Sequence, residues 1–186
     1  MASRSLPLAF FQQPTLTVAR HLLGKILVRQ FEETTIAAEI VEVEAYTADD
    51  PACHAFSGKR PRCEVMFGPP GYAYVYFIYG MYYCLNVVTE VDGIAGAVLI
   101  RALAERGKVG DEKLFSGPGK LCRQLQIDLK FNGLPLFDHK RQLYIMAGRD
   151  IADEAVAVSS RIGISKALER PWRFYLKDDK SVSGRK

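Results

Sequence analysis

The segment 67–83 constrains the fold most, because it joins a firm chain breaker to two runs of strand-forming residues. Residues 68–71 read Gly-Pro-Pro-Gly, a sequence that interrupts helices and strands alike. The runs 72–79 and 82–89 are rich in aromatic and β-branched residues, and the Gly80–Met81 pair between them predicts a β-hairpin. Segment 67–83 also holds eight of the chain's 20 aromatic residues. We therefore expect a fold built on hairpin-linked, mostly antiparallel strands.

The first strand of this hairpin is apolar on both faces. Side chains alternate along a strand, so Tyr74 and Tyr76 share one face while Val75 and Phe77 share the other. Such a strand is either central in a sheet or grips a ligand. Core packing is the interpretation for Tyr72 and Phe77.

The predicted hairpin tip is unusual, because Tyr79 and Met81 flank Gly80 where polar residues are typical. An apolar tip suits a wedge that enters between base steps and bends duplex DNA. The alternative is a tip buried against another part of the fold.

Further turn and cap signals divide the rest of the chain into helices and strands. We predict a helix at 16–23, capped by Thr15 and closed by Gly24, and one helical turn at 51–55 after Asp50. Segment 58–62 is a basic loop, and a capped helix follows 116–119. The remaining predicted strands begin at 26 or cover 35–46, 95–101, 144–146 and 172–176. Residues 1–186 are expected to form a single domain whose polar end, 177–186, is a loose, flexible tail.

Composition narrows the function classes. Hydrophobic residues make up 48% of the chain and charged residues 25%, a globular balance that excludes disorder, collagen and coiled coil. Apolar runs are too short to span a bilayer. The four cysteines form no Cys-x-x-Cys pair, which favours free thiols in a soluble, intracellular protein. Residues 1–100 carry a net charge of −3 and residues 101–186 one of +7. This asymmetry suits nucleic acid, or is merely a solvated basic surface.

Glu44 and Tyr46 are candidates for chemistry. Their side chains share a strand face roughly 7 Å apart, which suits a site where an aromatic ring holds a planar group while a carboxylate deprotonates water. The alternative is that Glu44 is solvated, as acidic residues in half-exposed strands usually are. We interpret Glu39 and Glu42 as solvated. His54 beside Cys53 is too little for a metal site, so no metal is predicted. Ser116 and Lys120 flank a helix start that could seat one phosphate, without the motif of an ATP-binding loop.

Nine short motifs occur together, in this order, between residues 16 and 175. They are Leu-Gly-Lys at 23–25, Glu-Val-Glu-Ala-Tyr at 42–46, Asp-Pro-Ala-Cys-His at 50–54, Met-Phe-Gly-Pro-Pro-Gly at 66–71, Tyr-Val-Tyr-Phe-Ile-Tyr-Gly-Met at 74–81, Cys-Leu-Asn-Val at 84–87, Val-Leu-Ile-Arg-Ala at 98–102, Ser-Gly-Pro-Gly-Lys-Leu at 116–121 and Arg-Phe-Tyr at 173–175. In sequence and spacing the chain resembles the alkyladenine (3-methyladenine) DNA glycosylase family.

This resemblance implies a fold and an activity. The fold is a single α+β domain with a curved, open barrel-like, mostly antiparallel sheet, flanking helices and a protruding β-hairpin. The activity is monofunctional, cofactor-free hydrolysis of the N-glycosidic bond of an alkylated or deaminated purine, after the nucleotide flips out of double-stranded DNA. We expect a monomer, in the cytoplasm (nucleoid) of a bacterium or the nucleus of a eukaryote. Lesion preference among 3-methyladenine, 7-methylguanine, hypoxanthine and etheno-adenine stays open.

The resemblance also assigns roles to individual residues. Glu44 looks like the carboxylate that activates water, and Arg101 like the arginine that helps hold it. Tyr46, His54 and Tyr76 resemble the clamp on the flipped base, and Asn86 the residue that disfavours guanine. Tyr79 resembles the intercalating tyrosine. The expected contacts to DNA at the tip and backbone are Met81, Lys59, Arg60, Arg62, Ser116 and Lys120.

Two departures concern the loop 58–63, where Arg60 and Cys63 stand in place of the family's common Thr and Asn. They put specific backbone contacts in doubt and add positive charge, which favours tighter, more salt-sensitive binding. A non-catalytic nucleic-acid-binding module is the main alternative function, and Glu44 speaks against it. A small carbohydrate hydrolase is more remote, since it needs a second carboxylate.

Overall fold

One antiparallel sheet, organised around a long central strand, forms the fold. The computed structural model describes residues 5–107 and 111–184. The strands are β1 (Ile26–Gln30), β2 (Thr35–Thr47), β3 (Ala73–Ile78), β4 (Tyr82–Val88), β5 (Gly96–Ala104), β6 (Leu143–Met146), β7 (Val156–Ser159) and β8 (Arg173–Leu176). Their order is β3-β4-β5-β2-β1-β6, and β8 pairs with both β2 and β7. The predicted α+β class with a curled antiparallel sheet is confirmed.

The central strand β2 shares its two edges among three neighbours. β5 pairs with one edge, while the other edge is divided between β1 and β8. The pairing with β5 is irregular on both sides of Glu42, between Ile40 and Val43. Irregularities of this kind bend a strand and re-aim its side chains. Because side chains alternate along a strand, Glu42, Glu44 and Tyr46 share one face of the curled sheet.

Short helices flank the sheet. They are α1 (Leu8–Phe11), α2 (Thr15–Leu22) and α3 (Pro118–Gln124), with 3₁₀ helices at Pro61–Phe67, Leu129–Phe131 and Asp153–Ala155. α2 packs Val18, Ala19 and Leu22 into the core. Within residues 5–107 and 111–184, no helix has the length and hydropathy needed to cross a bilayer.

The cap predicted for α2 is wrong. Pro14 occupies the cap position and Thr15 is the first helical residue. The Thr15 hydroxyl is instead buried, where it donates to Glu90 at 2.7 Å and lies 2.9 Å from the Thr89 hydroxyl. The Thr15 hydroxyl, which the local sequence pattern assigned to capping the helix, therefore binds residues that are distant in the sequence.

Apolar side chains pack on both faces of the sheet. Val43, Val75 and Ile100 belong to the main core cluster. Tyr74 and Met66 belong to a second, smaller cluster, against which Tyr76 packs. The two-sided burial predicted for the first hairpin strand is therefore observed over its first half.

The predicted hairpin forms, but its connection is the three-residue segment Tyr79–Met81, one residue longer than the predicted Gly80–Met81 pair. Tyr79 and Gly80 both have positive φ, 55° and 68°, the sign that the central residues of a type I′ turn require. Phe77 is 43% exposed, so the core interpretation is wrong for this residue, whereas Tyr72 packs at 5.7 Å against the ring of Phe137. That the hairpin protrudes beyond the fold stays a prediction.

Two other local predictions need correction. Residues 51–55 form hydrogen-bonded turns and no helix, although Asp50 Oδ1 does accept from the Ala52 N–H at 3.0 Å. In the predicted loose tail, Ser181, Val182 and Ser183 are buried. The tail prediction is wrong for these residues, because the Ser183 backbone binds the buried Glu42 and Arg173 side chains and Val182 packs in the main core cluster. Residues 185–186 lie outside the described part.

Val75→Ala is expected to lower the free energy of unfolding by about 2 kcal/mol, because it removes two buried methyl groups and leaves a cavity. Val158→Ala is the matched control, since Val158 lies on β7 with more than half of its surface exposed. Urea denaturation of both variants measures the difference. Equal destabilisation by the two substitutions would contradict the core described here.

Candidate active site

A cavity of about 440 Å³ lies between the β3–β4 hairpin, β5 and the start of α3. Its size falls within the range typical of ligand sites. Its lining includes Tyr46, His54, Tyr76, Asn86 and Arg101, which the sequence predicted as site residues. A larger groove of about 630 Å³ lies elsewhere and is lined by none of them.

Glu44 is fully buried and contacts three residues of the cavity lining. Its Oε2 accepts from the Tyr46 hydroxyl at 2.8 Å. Its Oε1 accepts from the Ile162 N–H at 2.7 Å and lies 3.4 Å from Arg101 Nη1. Three groups therefore hold the carboxylate in one orientation, two of them at Oε1 and one at Oε2.

Glu42 is also fully buried, so the interpretation of this side chain as solvated is wrong. Oε1 accepts from Arg101 Nε at 3.1 Å, Arg173 Nε at 2.7 Å and the Ser183 hydroxyl at 3.0 Å. Oε2 accepts from the Ser183 N–H at 2.6 Å. Glu39 is buried too, and pairs with Arg106 and Arg149. The signal that could have found Glu42 is Arg101, a charge inside an otherwise apolar strand, which needs a buried partner.

Aromatic rings form one wall of the cavity. The rings of His54 and Tyr76 meet edge to face at 4.6 Å, and those of Tyr74 and Tyr76 lie 5.3 Å apart at 36°. His54 Nδ1 is 2.8 Å from the Tyr74 hydroxyl. Asn86 donates from Nδ2 to the Tyr74 carbonyl at 3.0 Å, which fixes its amide at the cavity surface.

Burial shifts the protonation of these groups. It raises the pKa of Tyr46, and the neighbouring Glu44 charge raises it further, so this hydroxyl stays a donor. Burial also raises the pKa of Tyr76, and raises that of the Cys53 thiol to about 11. Burial and the nearby Arg62 lower the pKa of His54, which is therefore uncharged at neutral pH. For Arg101, burial acts to lower the pKa, but Glu44 and Glu42 outweigh it and raise it.

No cluster of three or more His, Cys, Asp or Glu side chains in the described ranges has the arrangement to hold a metal ion. The four cysteines are buried free thiols. The groups that the cavity offers a ligand include aromatic rings, an amide and a guanidinium, with the Glu44 carboxylate behind them.

Comparison with known proteins identifies the relatives of this chain. The family described as Methylpurine-DNA glycosylase (MPG) matches residues 9–180. The chain belongs to this family. It is 50% identical to a protein of Carboxydothermus hydrogenoformans over 96% of this chain and 98% of that protein. It is 46% identical to one of Methanoculleus marisnigri over 97% of this chain and 100% of the relative. Both carry the name "Putative 3-methyladenine DNA glycosylase". The resemblance inferred from the motifs is thereby confirmed.

The surface around the mouth of the cavity carries exposed apolar and basic side chains in this member of the methylpurine-DNA glycosylase family. Tyr79 and Met81 at the hairpin tip are 76% and 66% exposed. Tyr79 and Lys120 also line the cavity. The alternative of a buried tip is therefore excluded.

The predicted DNA-contacting residues lie in the loop 58–63 and at or just before the start of α3, and their surroundings differ. Lys59, Arg60 and Arg62 are exposed, and Lys59 pairs with Glu64 at 3.0 Å. Arg62 lies 5.4 Å from the Tyr76 ring centre. Ser116 is half-buried in a bridge to Ala102. Cys63 is buried, with its thiol 3.8 Å from the Gly58 carbonyl, so it packs inside the fold.

Arg161 supports the site from behind, and sequence reasoning missed it. Its buried guanidinium binds both carboxylate oxygens of Asp50 and donates to the Ala45 carbonyl at 2.9 Å. It also stacks 4.6 Å from the Tyr46 ring centre. Ile162, whose N–H binds Glu44, is the next residue in the chain. Arg161 thus anchors both a wall of the cavity and a donor to the carboxylate.

Asp50→Asn is expected to lower the free energy of unfolding by about 3 kcal/mol, because it leaves the buried Arg161 charge without a counter-charge. Asp49→Asn is the control, since Asp49 is 72% exposed where it pairs with Arg170, and its loss costs less than about 1 kcal/mol. Thermal and urea unfolding compare the two. A cost no greater at Asp50 than at Asp49 would show that the ion pair does not hold this region.

Proposed function

We propose that this protein is a monofunctional DNA glycosylase that hydrolyses the N-glycosidic bond of an alkylated or deaminated purine flipped out of duplex DNA. Family membership supports action on alkylated purines in DNA. The observation that carries the proposal further is the buried Glu44 carboxylate, fixed by Arg101 and Tyr46 beside a ring-lined cavity. A protein that only bound nucleic acid would have no use for this costly arrangement.

Recognition begins with extrusion of the damaged nucleotide. Flipping costs a few kcal/mol and is cheapest for damaged or poorly paired bases. Stacking on an aromatic side chain stabilises the extruded base by roughly 1–3 kcal/mol, which offsets much of the cost of flipping. Tyr46 and Tyr76 are the proposed stacking surfaces, and Tyr79 fills the gap left in the duplex. Met81 lies beside it at the tip.

The cavity also favours a positively charged, alkylated base. Tyr46 and Tyr76 present π-systems, which attract a cation. His54 adds no repulsion, because its lowered pKa leaves the ring neutral at pH 7. Asn86 is the proposed barrier to the exocyclic amine of guanine, since its hydrogen bond to the Tyr74 carbonyl keeps it from turning aside. Hypoxanthine and etheno-adenine are further proposed substrates.

Hydrolysis then needs one base and one leaving group. The oxygen of water bonds to C1′, the N-glycosidic bond breaks with its electron pair on the purine, and Glu44 takes the water proton. We assign this proton to Oε2, because among the described residues Tyr46 alone donates to it, whereas Oε1 accepts from Ile162 and lies close to Arg101. Before Glu44 takes the proton, its negative charge stabilises the positive charge that develops on the sugar. No metal ion or cofactor has a place in this scheme.

Duplex DNA is the proposed partner of the surface around the cavity. Lys59, Arg60 and Arg62 on one side and Ser116 with Lys120 on the other would contact phosphates. Such contacts release counterions, so binding is expected to weaken steeply with salt. A carbohydrate hydrolase is disfavoured, because the second carboxylate near Glu44, Glu42, is occupied by two arginines and Ser183.

Glu44→Gln is expected to slow release of the base at least 100-fold, because the amide cannot take the water proton. Affinity for the damaged duplex should stay within about threefold, since Gln keeps the volume of Glu. Single-turnover release from duplexes containing 3-methyladenine, 7-methylguanine or hypoxanthine measures the rate, and a binding titration measures affinity. Glu33→Gln, in an exposed turn, is the control. Equal rates for wild type and Glu44→Gln would remove Glu44 from the mechanism.

Tyr79→Ala is expected to weaken binding to a damaged duplex about tenfold, because the stacking surface at the tip is lost. The melting temperature should not change, since Tyr79 is largely exposed. Tyr79→Phe keeps the ring and should bind like wild type. Unchanged affinity of Tyr79→Ala, or a marked drop in its melting temperature, would assign the tip to packing instead.

A further inference from the structure

We propose that Ser183 is a positioning residue that aims Arg101 at Glu44, so that the segment 181–183 completes the candidate active site. The inference rests on the proposed function for its effect on catalysis. It concerns a residue 141 positions away from Glu42, in a segment that the sequence predicts to be loose.

The guanidinium of Arg101 is fixed at three points, one for each nitrogen. Nε donates to Glu42 at 3.1 Å, and Nη1 lies 3.4 Å from Glu44. Nη2 donates to the Ser183 hydroxyl at 3.3 Å. Three contacts define the plane of the group and leave it no free rotation. Of the three, the one to Ser183 is the only contact with a neutral side chain.

The Ser183 hydroxyl links Arg101 to Glu42. It accepts from Arg101 Nη2 and donates to Glu42 Oε1 at 3.0 Å. Without it, Nη2 loses a buried acceptor and Glu42 loses a donor. Arg101 is then expected to lose its fixed orientation and its alignment with Glu44, because only two of its three contacts remain.

The backbone of the segment is held by contacts that do not involve this hydroxyl. The Ser183 N–H donates to Glu42 at 2.6 Å, and the Ser183 carbonyl accepts from Arg173 Nη2 at 2.8 Å. The Val182 carbonyl accepts from Lys113 Nζ at 3.0 Å, and the side chain of Val182 is fully buried. Ser183→Ala should therefore leave the segment in place and remove only the contact to Arg101 and Glu42.

The first experiment compares Ser183→Ala with Ser181→Ala, a substitution of another buried serine in the same segment. We expect Ser183→Ala to release base about tenfold more slowly in single turnover, the loss typical of one hydrogen bond to a charged group, with duplex affinity within twofold of wild type. Ser181→Ala should keep the wild-type rate. A Ser183→Ala rate within twofold of wild type, or an equal loss at Ser181, overturns the inference.

The second experiment asks whether the effect passes through Arg101. Lysine in place of Arg101 lacks the Nη2 donor, so Ser183→Ala should slow Arg101→Lys by less than twofold further. A tenfold loss in both backgrounds would show that Ser183 acts by another route and would refute the positioning role. Melting temperatures of all variants distinguish a local effect from unfolding.

The third experiment needs no activity, so it keeps this inference separate from the proposed function. In ¹⁵N-arginine-labelled protein, the Arg101 Nε–H resonance is assigned by its loss in Arg101→Lys. We expect Ser183→Ala to speed hydrogen exchange of this group at least tenfold relative to Ser181→Ala. Unchanged exchange refutes the role of Ser183. A wild-type protein that releases no base from any damaged duplex refutes the proposed function, and the exchange result then stands by itself.

Discussion

A balanced group of buried charges holds the centre of this molecule together. Glu42 and Glu44 on β2 face Arg101 on β5, and Arg173 on β8 completes two negative and two positive side chains. Burying any one of them alone would be prohibitive, so each depends on strands that are far apart in the chain. The same ion pairs therefore hold β2 against β5 and β8 and fix the geometry of the candidate site.

Local patterns in the sequence predicted the parts of the fold that local physics decides. Alternation and turn chemistry predicted the β3–β4 hairpin and the shared face of Glu44 and Tyr46, although the connection of the hairpin is one residue longer than predicted. They failed where a distant partner determines the outcome. The Thr15 hydroxyl does not cap its helix because Glu90 and Thr89 take it.

The same division applies to the candidate site. Tyr46, His54, Tyr76, Asn86 and Arg101 were predicted to act together, and they do line one cavity. The supporting residues were missed, because their contacts span more than 100 positions: Ile162 to Glu44, Arg161 to Asp50 and Ser183 to Glu42. The two-residue alternation of a strand contains no information about such distant partners. In the sequence, Glu42 is indistinguishable from an ordinary solvated acidic strand residue, because its partners Arg101 and Arg173 are known only from the structure.

The cation behind Tyr46 has a consequence for what the cavity can admit. One face of the ring meets the Arg161 guanidinium, which in turn packs on Trp172 and is tied to Asp50. Arg161 keeps the Tyr46 ring from moving away from the cavity, so this wall of the cavity is rigid. Any ligand that needs extra width has to obtain it from the other walls of the cavity.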